Sequence, residues 1–190
     1  MGISSRSERS DLSSTKPLVI VVTGTPGSGK TAFARELSLL LRAKYLDVNA
    51  FARKAGLFSE YDARRRTWEV DSSRLAKALR KAVLGLKGDV VLDSHISHFF
   101  PSRYADICFV LRADLKTIYK RLKARHWPSH KVSENLEAEI FEVILTEARQ
   151  LGHKVQVLDS SRRSAGSLAR QAIKNIRLIR KNTGSGSLPN

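Results

Sequence analysis

Residues 24–31, Gly-Thr-Pro-Gly-Ser-Gly-Lys-Thr, constrain this chain more than any other feature of its sequence. They follow an apolar run at 18–22 and precede a pattern with helical periodicity that starts at Lys30. Glycines at these spacings let successive backbone N–H groups turn inward around phosphate oxygens, and the helix that follows adds the positive end of its dipole. The strand–loop–helix context predicts a phosphate-binding loop, here called the P-loop.

The predicted ligand of the P-loop is ATP with Mg²⁺. Lys30 is expected to reach the β- and γ-phosphates, and the Thr31 hydroxyl is expected to ligate the Mg²⁺. The alternative is a glycine-rich turn that matches the pattern by chance. The nucleotide-binding residues predicted from the loop and the first helical turn are Gly27, Ser28, Gly29, Lys30, Thr31 and Ala32.

Short apolar runs alternate with helical patterns along the rest of the chain. Strands are predicted at 18–22, 44–47, 90–92, 106–111 and 155–158. Helices are predicted at 30–41, from the Asp71 cap to about 86, and at 113–125, 133–151 and 164–181. Such alternation favours parallel strands joined by right-handed crossovers. The predicted class is therefore α/β: a three-layer P-loop NTPase fold with a five-stranded parallel sheet and helices on both faces.

The composition fits one domain. The chain has 190 residues, of which 42% are hydrophobic. Residues 1–16 and 182–190 lack periodicity, so flexible tails are expected around a domain at 17–181. No apolar run approaches the roughly 20 residues of a membrane span, and no secretory pattern is visible. The single cysteine, Cys108, lies in an apolar run and is expected to be buried. These features predict a cytoplasmic protein without membrane contact.

The charge predicts polyanionic partners. The 34 Lys and Arg against 18 Asp and Glu give a net charge of +16, which favours nucleotides, RNA or a ribonucleoprotein surface over a merely soluble basic surface. The last predicted helix has an apolar stripe and a basic face, so it is either a docked surface helix or a contact for RNA phosphates. The apolar stripe is Leu168, Ala172, Ile176 and Ile179, and the basic face is Arg170, Lys174, Arg177 and Lys181.

An acidic residue follows the predicted strand at 90–92. Enzymes with a P-loop need a carboxylate opposite the loop to hold Mg²⁺, and Asp93 fits this role; the alternative is a turn cap. His95 either orients an attacking water or the substrate, or is a hydrogen-bonded structural histidine. His98 is expected to be structural or solvent-exposed.

Arginines are needed where a reaction brings several phosphates together. Arg121 and Arg125 share one helix face and precede a polar segment that breaks the helix. A mobile lid at about 124–133 is predicted, the alternative being a solvated basic face. The predicted substrate-binding arginines are Arg53, Arg103, Arg112 and Arg121.

The region at 47–70 is predicted to dock a second nucleotide against Arg53, with Tyr61 or Trp68 near a base. The alternative is a surface elaboration without a ligand. The run Arg64-Arg65-Arg66 is expected to be solvated or to face RNA.

Several of these segments together resemble the atypical adenylate kinase family of archaea and eukaryotic nuclei. The similarity extends from about residue 18 to residue 148, and the Asp-x-His element at 93–95 is more distinctive than the P-loop. The segments are 24–31, Asp93-Ser94-His95, Phe99-Phe100-Pro101-Ser102-Arg103, Val110-Leu111-Arg112-Ala113-Asp114, Arg121-Leu122-Lys123-Ala124-Arg125 and the stretch 135–141.

The resemblance implies ATP-dependent phosphorylation of a nucleoside monophosphate, typically AMP, together with ATPase activity and a part in small-ribosomal-subunit maturation. It also implies a ribosomal protein of the small-subunit platform as partner. Asp93 and His95 match the family's Mg²⁺-associated motif, Arg53 the arginine of the monophosphate region and Arg125 that of the lid. Lys30, Asp93, His95 and Arg125 are the catalytic residues predicted on this basis.

The chain departs from the family in two places, Ser97-His98 and Asn49-Ala50-Phe51. Both departures bear on the identity and affinity of the acceptor nucleotide more than on the ATP site. The alternative function is a ribosome-assembly or RNA-binding factor that ATP switches and whose kinase activity is incidental.

Overall fold

The computed structural model of the protein describes residues 16–62 and 67–184. The run Arg64-Arg65-Arg66 and most of both predicted tails lie outside the described residues, as do the side chains of Tyr61, Trp68 and Lys181. The strands, in chain order, are β1 (Val19–Thr23), β2 (Lys44–Asp47), β3 (Phe58–Asp62), β4 (Thr67–Val70), β5 (Val90–Asp93), β6 (Ile107–Arg112) and β7 (Val155–Asp159). The helices are α1 (Lys30–Leu41), α2 (Val48–Lys54), α3 (Ser72–Leu84), α4 (Leu115–Lys123), α5 (Ser129–Ile140), α6 (Val143–Gln150) and α7 (Ala165–Gly184).

The main sheet has five parallel strands in the order β2-β5-β1-β6-β7. Val22 pairs with Asp93, and Asp47 pairs with the same residue from the other side. The carboxyl ends of β1, β2 and β5 therefore meet at one edge of the sheet. The prediction of a five-stranded parallel sheet is confirmed, and the P-loop begins at this edge.

Side chains of alternate strand residues enter two separate cores, because successive residues of a strand point to opposite faces. Ile20 and Val22 pack with α1 and α7, where Phe33 meets the edge of Phe109 at 5.4 Å between ring centroids. Val21 belongs to the opposite core, which includes residues of α3 and α6. Helices thus cover both faces of the sheet, as the three-layer prediction requires.

Helix ends follow the capping signals in the sequence. Asp71 accepts hydrogen bonds from the backbone N–H groups of Ser73 and Arg74 at the start of α3. Asp114 accepts one from Thr117 N at the start of α4. In α7 the predicted stripe residues Leu168, Ala172 and Ile176 are buried. Arg170, Lys174 and Arg177 are exposed, so the predicted division of this helix into two faces is confirmed for these residues.

The single helix predicted at 133–151 is wrong. The chain forms α5 and α6, and Glu142 between them has a left-handed backbone with φ of 52°. Arg112 explains the break, because it donates to the Glu139 carbonyl oxygen at 3.1 Å and also pairs with the Glu142 carboxylate. The predicted apolar face fails there as well, since Ile140 is 55% exposed while Leu145 is buried.

The region between β2 and α3 has more regular structure than predicted. It contains α2 and an antiparallel hairpin formed by β3 and β4, in which Phe58 pairs with Val70. The hairpin is short and polar, so its periodicity is weak in the sequence. Within the described residues, no helix has both the length and the apolar character needed to cross a membrane.

Candidate active site

The P-loop joins β1 to α1 in a conformation that requires glycine. Gly24 has φ of 141°, and a Cβ there would lie 2.3 Å from the Leu111 carbonyl oxygen. Gly27 has φ of 91° and lies against α4, where a Cβ would come within 3.2 Å of Ile118 Cγ2. A side chain at either position meets both backbone strain and a close neighbour. The glycine spacing is thus explained by the turn and by its packing.

Two side chains hold carbonyl groups of the P-loop from outside. Arg121 Nη1 donates to the Gly27 oxygen at 2.9 Å, and Ser160 Oγ donates to the Ser28 oxygen at 2.6 Å. Arg121 also donates to Ser160 Oγ at 3.1 Å, which joins the two contacts. Carbonyls held on the outside leave the loop's N–H groups for an anion. Arg121 therefore lies behind the loop, and the structure does not place it in the predicted substrate contact.

A buried acidic residue braces the P-loop from another side. Thr25 Oγ1 donates to Glu139 Oε2 at 2.5 Å, and Arg112 Nε donates to Glu139 Oε1 at 3.0 Å. Glu142 also pairs with Arg112. Arg112 thus has two carboxylate partners, so the structure does not bring it to the predicted substrate contact either.

A cleft of about 820 Å³ opens at the carboxyl edge of the sheet. It brings together Lys30, Thr31, Asp93, His95 and Arg125, which the sequence placed in the site from three separate segments. Its other lining residues come from the P-loop, the end of β2, the first turn of α2, the residue after β5, the 124–133 segment and α5: Pro26, Asp47, Asn49, Ser94, His126, Trp127, Pro128, His130, Lys131, Glu134 and Asn135.

Lys30 is half-buried and lines this cleft. Burial of the ammonium lowers its pKa from 10.5 to about 8; Arg125 acts in the same direction, and Asp93 and Asp47 act against it. Because burial disfavours the charged form of Lys30, an anion that enters the cleft would stabilise the ammonium. Lys30 therefore fits a role in binding phosphates.

Asp93 has two carboxylate oxygens in different surroundings. The residue is 3% exposed. Oδ2 accepts a hydrogen bond from the Tyr45 hydroxyl at 2.7 Å. Oδ1 is buried and has no hydrogen-bond partner within the part of the chain that the structure describes. A buried carboxylate oxygen without a partner is costly unless a ligand or water completes it.

This donor set fits a divalent cation. Carboxylate and hydroxyl oxygens are ligands that Mg²⁺ prefers, and Mg²⁺ usually takes one or two protein groups together with phosphates and water. Asp93 and Thr31, which both line the cleft, supply such groups. Among residues 16–62 and 67–184, no cluster of three or more His, Cys, Asp or Glu forms a metal cage. The residues present therefore suit a cation that arrives with its nucleotide.

The imidazole ring of His95 is exposed at the cleft, and the neighbouring residue Ser94 is hydrogen-bonded. Ser94 Oγ donates to Asn49 Oδ1 at 2.9 Å and lies 3.5 Å from His95 Nδ1. The surrounding protein and the Lys30 ammonium lower the pKa of His95, although its side chain stays exposed to the cleft. The imidazole is therefore neutral near pH 7, a state that both donates and accepts.

His98 is structural, one of the two alternatives considered for it. Its Nδ1 lies 3.1 Å from Thr23 Oγ1 and its Nε2 lies 3.0 Å from Glu147 Oε2. Burial is the largest cause that lowers its pKa to about 4. The ring joins β1 to α6 and is 1% exposed.

Two further predicted substrate-binding arginines lie outside the cleft lining. Arg103 stacks over Tyr104 at 4.9 Å, just before β6 begins. Since Asp106 N donates to the carbonyl of Val19, the first residue of β1, this segment lies at the amino edge of the sheet, opposite the P-loop. The structure therefore does not bring Arg103 to the site. Arg53 is exposed on α2, four residues and about one helical turn after the cleft residue Asn49.

Sequence reasoning missed several residues of the site. Tyr45 and Glu139 act on Asp93 and on the P-loop from distant segments, and Trp127, Glu134 and Asn135 line the cleft. Tyr45 carried a usable signal, because it lies on the strand that ends beside Asp93. Glu139 lies in the stretch 135–141 that carries the resemblance, but nothing in that stretch assigned the residue a role.

The geometry defines a class: a P-loop fold with a lysine, an acidic strand end and a basic segment around one cleft is the arrangement of a phosphotransferase. A family model described as an AAA domain matches residues 20–142. A protein of Pyrococcus furiosus named "Putative adenylate kinase" is 40% identical over 144 residues, 76% of each chain. The adenylate kinase isoenzyme 6 homolog of Dictyostelium discoideum is 33% identical over 130 residues, 68% of this chain and 73% of that one.

The chain belongs to this family of P-loop nucleoside-monophosphate kinases and is a nucleotide kinase. The family implies ATP and typically Mg²⁺ as cofactors.

Comparison with solved structures of lower sequence identity shows that this chain shares their fold. Shikimate kinase from Acinetobacter baumannii superposes with a TM-score of 0.62 at 16% identity, over 86% of this chain and 95% of that one. A gluconokinase from Sinorhizobium meliloti gives a TM-score of 0.59 at 17% identity, over 90% and 98%.

Proposed function

We propose that this protein is an ATP:AMP phosphotransferase, an adenylate kinase that also accepts other nucleoside monophosphates and hydrolyses ATP slowly. The observation that carries the proposal is the single cleft that joins Lys30, Thr31, Asp93, His95 and Arg125. The names of the relatives support AMP as the acceptor.

The donor nucleotide binds at the P-loop. The loop amides and the start of α1 surround its phosphates, and Lys30 neutralises the β- and γ-oxygens. Thr31 and Asp93 hold the Mg²⁺, which, when bound, neutralises phosphate charge. Trp127, half-buried at the cleft, offers an aromatic face to the adenine.

The acceptor monophosphate enters from the side of β2 and α2. Asn49 and Ser94 line that end of the cleft and are bonded to each other. Arg53 on α2 turns toward the acceptor phosphate when it binds, as the arginine of a monophosphate-binding region between 47 and 70.

Phosphoryl transfer then depends on the positioning of the two nucleotides and on stabilisation of the phosphate charge, without a covalent enzyme intermediate. An acceptor phosphate oxygen attacks the γ-phosphorus in line, the bond to the bridging oxygen of ADP breaks, and two ADP molecules result. The 124–133 segment acts as a lid whose Arg125 stabilises charge on the transferring group and whose closure excludes water. Neutral His95 orients the acceptor or, in its absence, a water molecule, which gives the slow ATPase reaction.

The test is a coupled assay of ADP production with AMP, GMP, CMP or UMP as acceptor. Wild-type protein is expected to need Mg²⁺ and to prefer one acceptor. Lys30→Ala and Asp93→Ala should each remove most turnover, whereas the control Lys44→Ala, at an exposed position on β2, should not. Turnover that is independent of any monophosphate and unaffected by both active-site changes would overturn the proposal.

A second function is favoured by one specific surface. Arg170, Lys174 and Arg177 form an exposed basic face on α7, on a chain with a net charge of +16. We propose that this face contacts ribosomal RNA and that the protein acts in small-subunit biogenesis with a platform ribosomal protein as partner. In this alternative, ATP switches the contact and kinase turnover is incidental.

The RNA contact is tested by the salt dependence of binding. Replacing Arg170, Lys174 and Arg177 with Gln should reduce the magnitude of the slope of log K against log salt by about 2 to 3, since each of three phosphate contacts contributes about 0.7 to 0.9. A matched control replaces Arg74, Lys77 and Lys81, exposed on α3, with Gln. Equal losses in both triple variants would contradict a specific face. Pull-down of a small-subunit protein with and without ATP tests the partner, and capture that ATP does not affect counts against the switch.

A further inference from the structure

Tyr45 approaches Asp93 from the neighbouring strand. β2 and β5 pair in parallel with Tyr45 opposite Val91 and Asp47 opposite Asp93. Residues two apart on a strand share a face, so Tyr45 and Asp93 lie on the same side of the sheet, one diagonal step apart. That side is covered by α1, because Val91 and Tyr45 belong to the core that contains Phe33 and Leu37.

The phenol is held in place from two directions. Its ring packs against the α1 side of the core, and the Arg35 guanidinium of α1 lies 5.3 Å from the ring centroid. The hydroxyl donates to Asp93 Oδ2 at 2.7 Å.

This bond makes the two oxygens of Asp93 inequivalent. With Oδ2 occupied by Tyr45, the carboxylate cannot rotate without losing a hydrogen bond to a charged acceptor, which is among the stronger kinds. Oδ1 then remains buried without a partner in the part of the chain that is described. In metal sites, a hydrogen-bond partner of a ligating carboxylate fixes the orientation of that carboxylate.

We propose that Tyr45 is a positioning residue for the divalent cation that accompanies the nucleotide: its hydroxyl fixes Asp93 so that the second carboxylate oxygen is presented to the cation or to its bound water. The inference rests on the proposed ATP site. It adds the strand β2 to the machinery of that site. The alternative is a purely structural role, in which the hydrogen bond between Tyr45 and Asp93 stabilises the fold and leaves cation binding unchanged.

The experiment measures Mn²⁺ binding by electron paramagnetic resonance, with a non-hydrolysable ATP analogue present and no turnover. Tyr45→Phe removes only the hydroxyl and is expected to weaken Mn²⁺ binding about tenfold, the lower end of the range for partners of metal ligands. Affinity for the analogue without a cation should stay within about twofold, because no nucleotide contact is lost. The matched control is Tyr104→Phe at the amino edge of the sheet, which should bind Mn²⁺ as wild type does.

A double-mutant cycle separates positioning from stability. In an Asp93→Ala background, Tyr45→Phe should have no further effect on Mn²⁺ affinity, because the residue acts only through that carboxylate. Equal Mn²⁺ affinity in wild type and Tyr45→Phe, or an equal loss with and without Asp93, would overturn the inference. Failure of the proposed ATP site is distinct, since wild-type protein would then bind neither the analogue nor Mn²⁺ with it.

Discussion

Thr25 of the P-loop donates a hydrogen bond to Glu139 of α5 at 2.5 Å. This bond connects the P-loop to α5, whose first residues, 129–133, belong to the predicted lid segment 124–133. Glu139 is 4% exposed and also accepts from Arg112 at 3.0 Å, so its charge is compensated inside the protein. If the proposed lid moves and α5 moves with it, the hydrogen bond to Thr25 would transmit that movement to the P-loop.

Neutralising Glu139 is expected to destabilise the protein. Glu139→Gln keeps the size of the side chain and leaves Arg112 with a weaker partner, which should lower the free energy of unfolding by about 1–3 kcal/mol. Urea unfolding followed by circular dichroism measures the change. Glu137→Gln, exposed on the same helix, is the control and should stay within about 0.5 kcal/mol. Equal stability of the two variants would show that the buried ion pair contributes nothing.

Nucleotide binding is expected to take up protons near pH 8. The pKa of Lys30 is lowered to about 8 in the free protein, mainly by burial, so the ammonium is partly deprotonated there. Phosphate charge favours the ammonium form and raises this pKa, which means that binding takes up protons and weakens as the pH rises above 8. Calorimetry in buffers of different ionisation enthalpy measures the uptake. The Lys30→Arg variant, whose guanidinium stays charged, should bind nucleotide without proton uptake. An identical proton uptake in this variant would mean that a group other than Lys30 takes up the proton.

Arg125 is expected to act in the reaction step more than in binding. Arg125→Ala should lower kcat by about 10²-fold or more with a smaller change in KM for ATP, since the guanidinium stabilises charge that develops during transfer. Steady-state ADP production gives both constants. Lys123→Ala, an exposed cation at the end of α4, is the matched control. A change confined to KM would place Arg125 in ground-state binding instead.

The single thiol is expected to be inert in the folded protein. Cys108 is fully buried in β6, and burial raises its pKa to about 12, so almost no thiolate forms at neutral pH. An aromatic disulfide reagent should react with one thiol in urea and with essentially none in native buffer. Rapid reaction of native protein would mean that β6 opens readily.

The sequence predicted the sheet because its strands are short, apolar and separated by helical patterns. The P-loop, Asp93 and His95 could be predicted as site residues because each lies at or just after the end of a strand, and strand ends converge at one edge. The break between α5 and α6 was not predictable, since it depends on Arg112 binding Glu139 and Glu142 from a distant strand. Helical periodicity describes one segment and contains no information about such a partner.

The roles of the arginines were also not predictable from the sequence, because they too depend on partners from distant segments. Arg103, Arg112, Arg121 and Arg125 share chemistry and lie near predicted strand or helix ends, but the fold gives them different tasks. Arg121 binds loop carbonyls, Arg112 binds acids and Arg103 lies at the opposite edge. Only the three-dimensional arrangement separates a guanidinium that meets phosphate from one that meets backbone.

The contacts of Arg121 and Ser160 with the P-loop carbonyls have a consequence for ligand capture. A loop that is held this way loses its conformational freedom when the chain folds, before any nucleotide arrives. The entropy cost of ordering it then does not weaken affinity, and free and occupied loops should share one shape. Crystals grown with and without nucleotide would accordingly differ at the segment around Trp127 and hardly at all between Gly24 and Lys30.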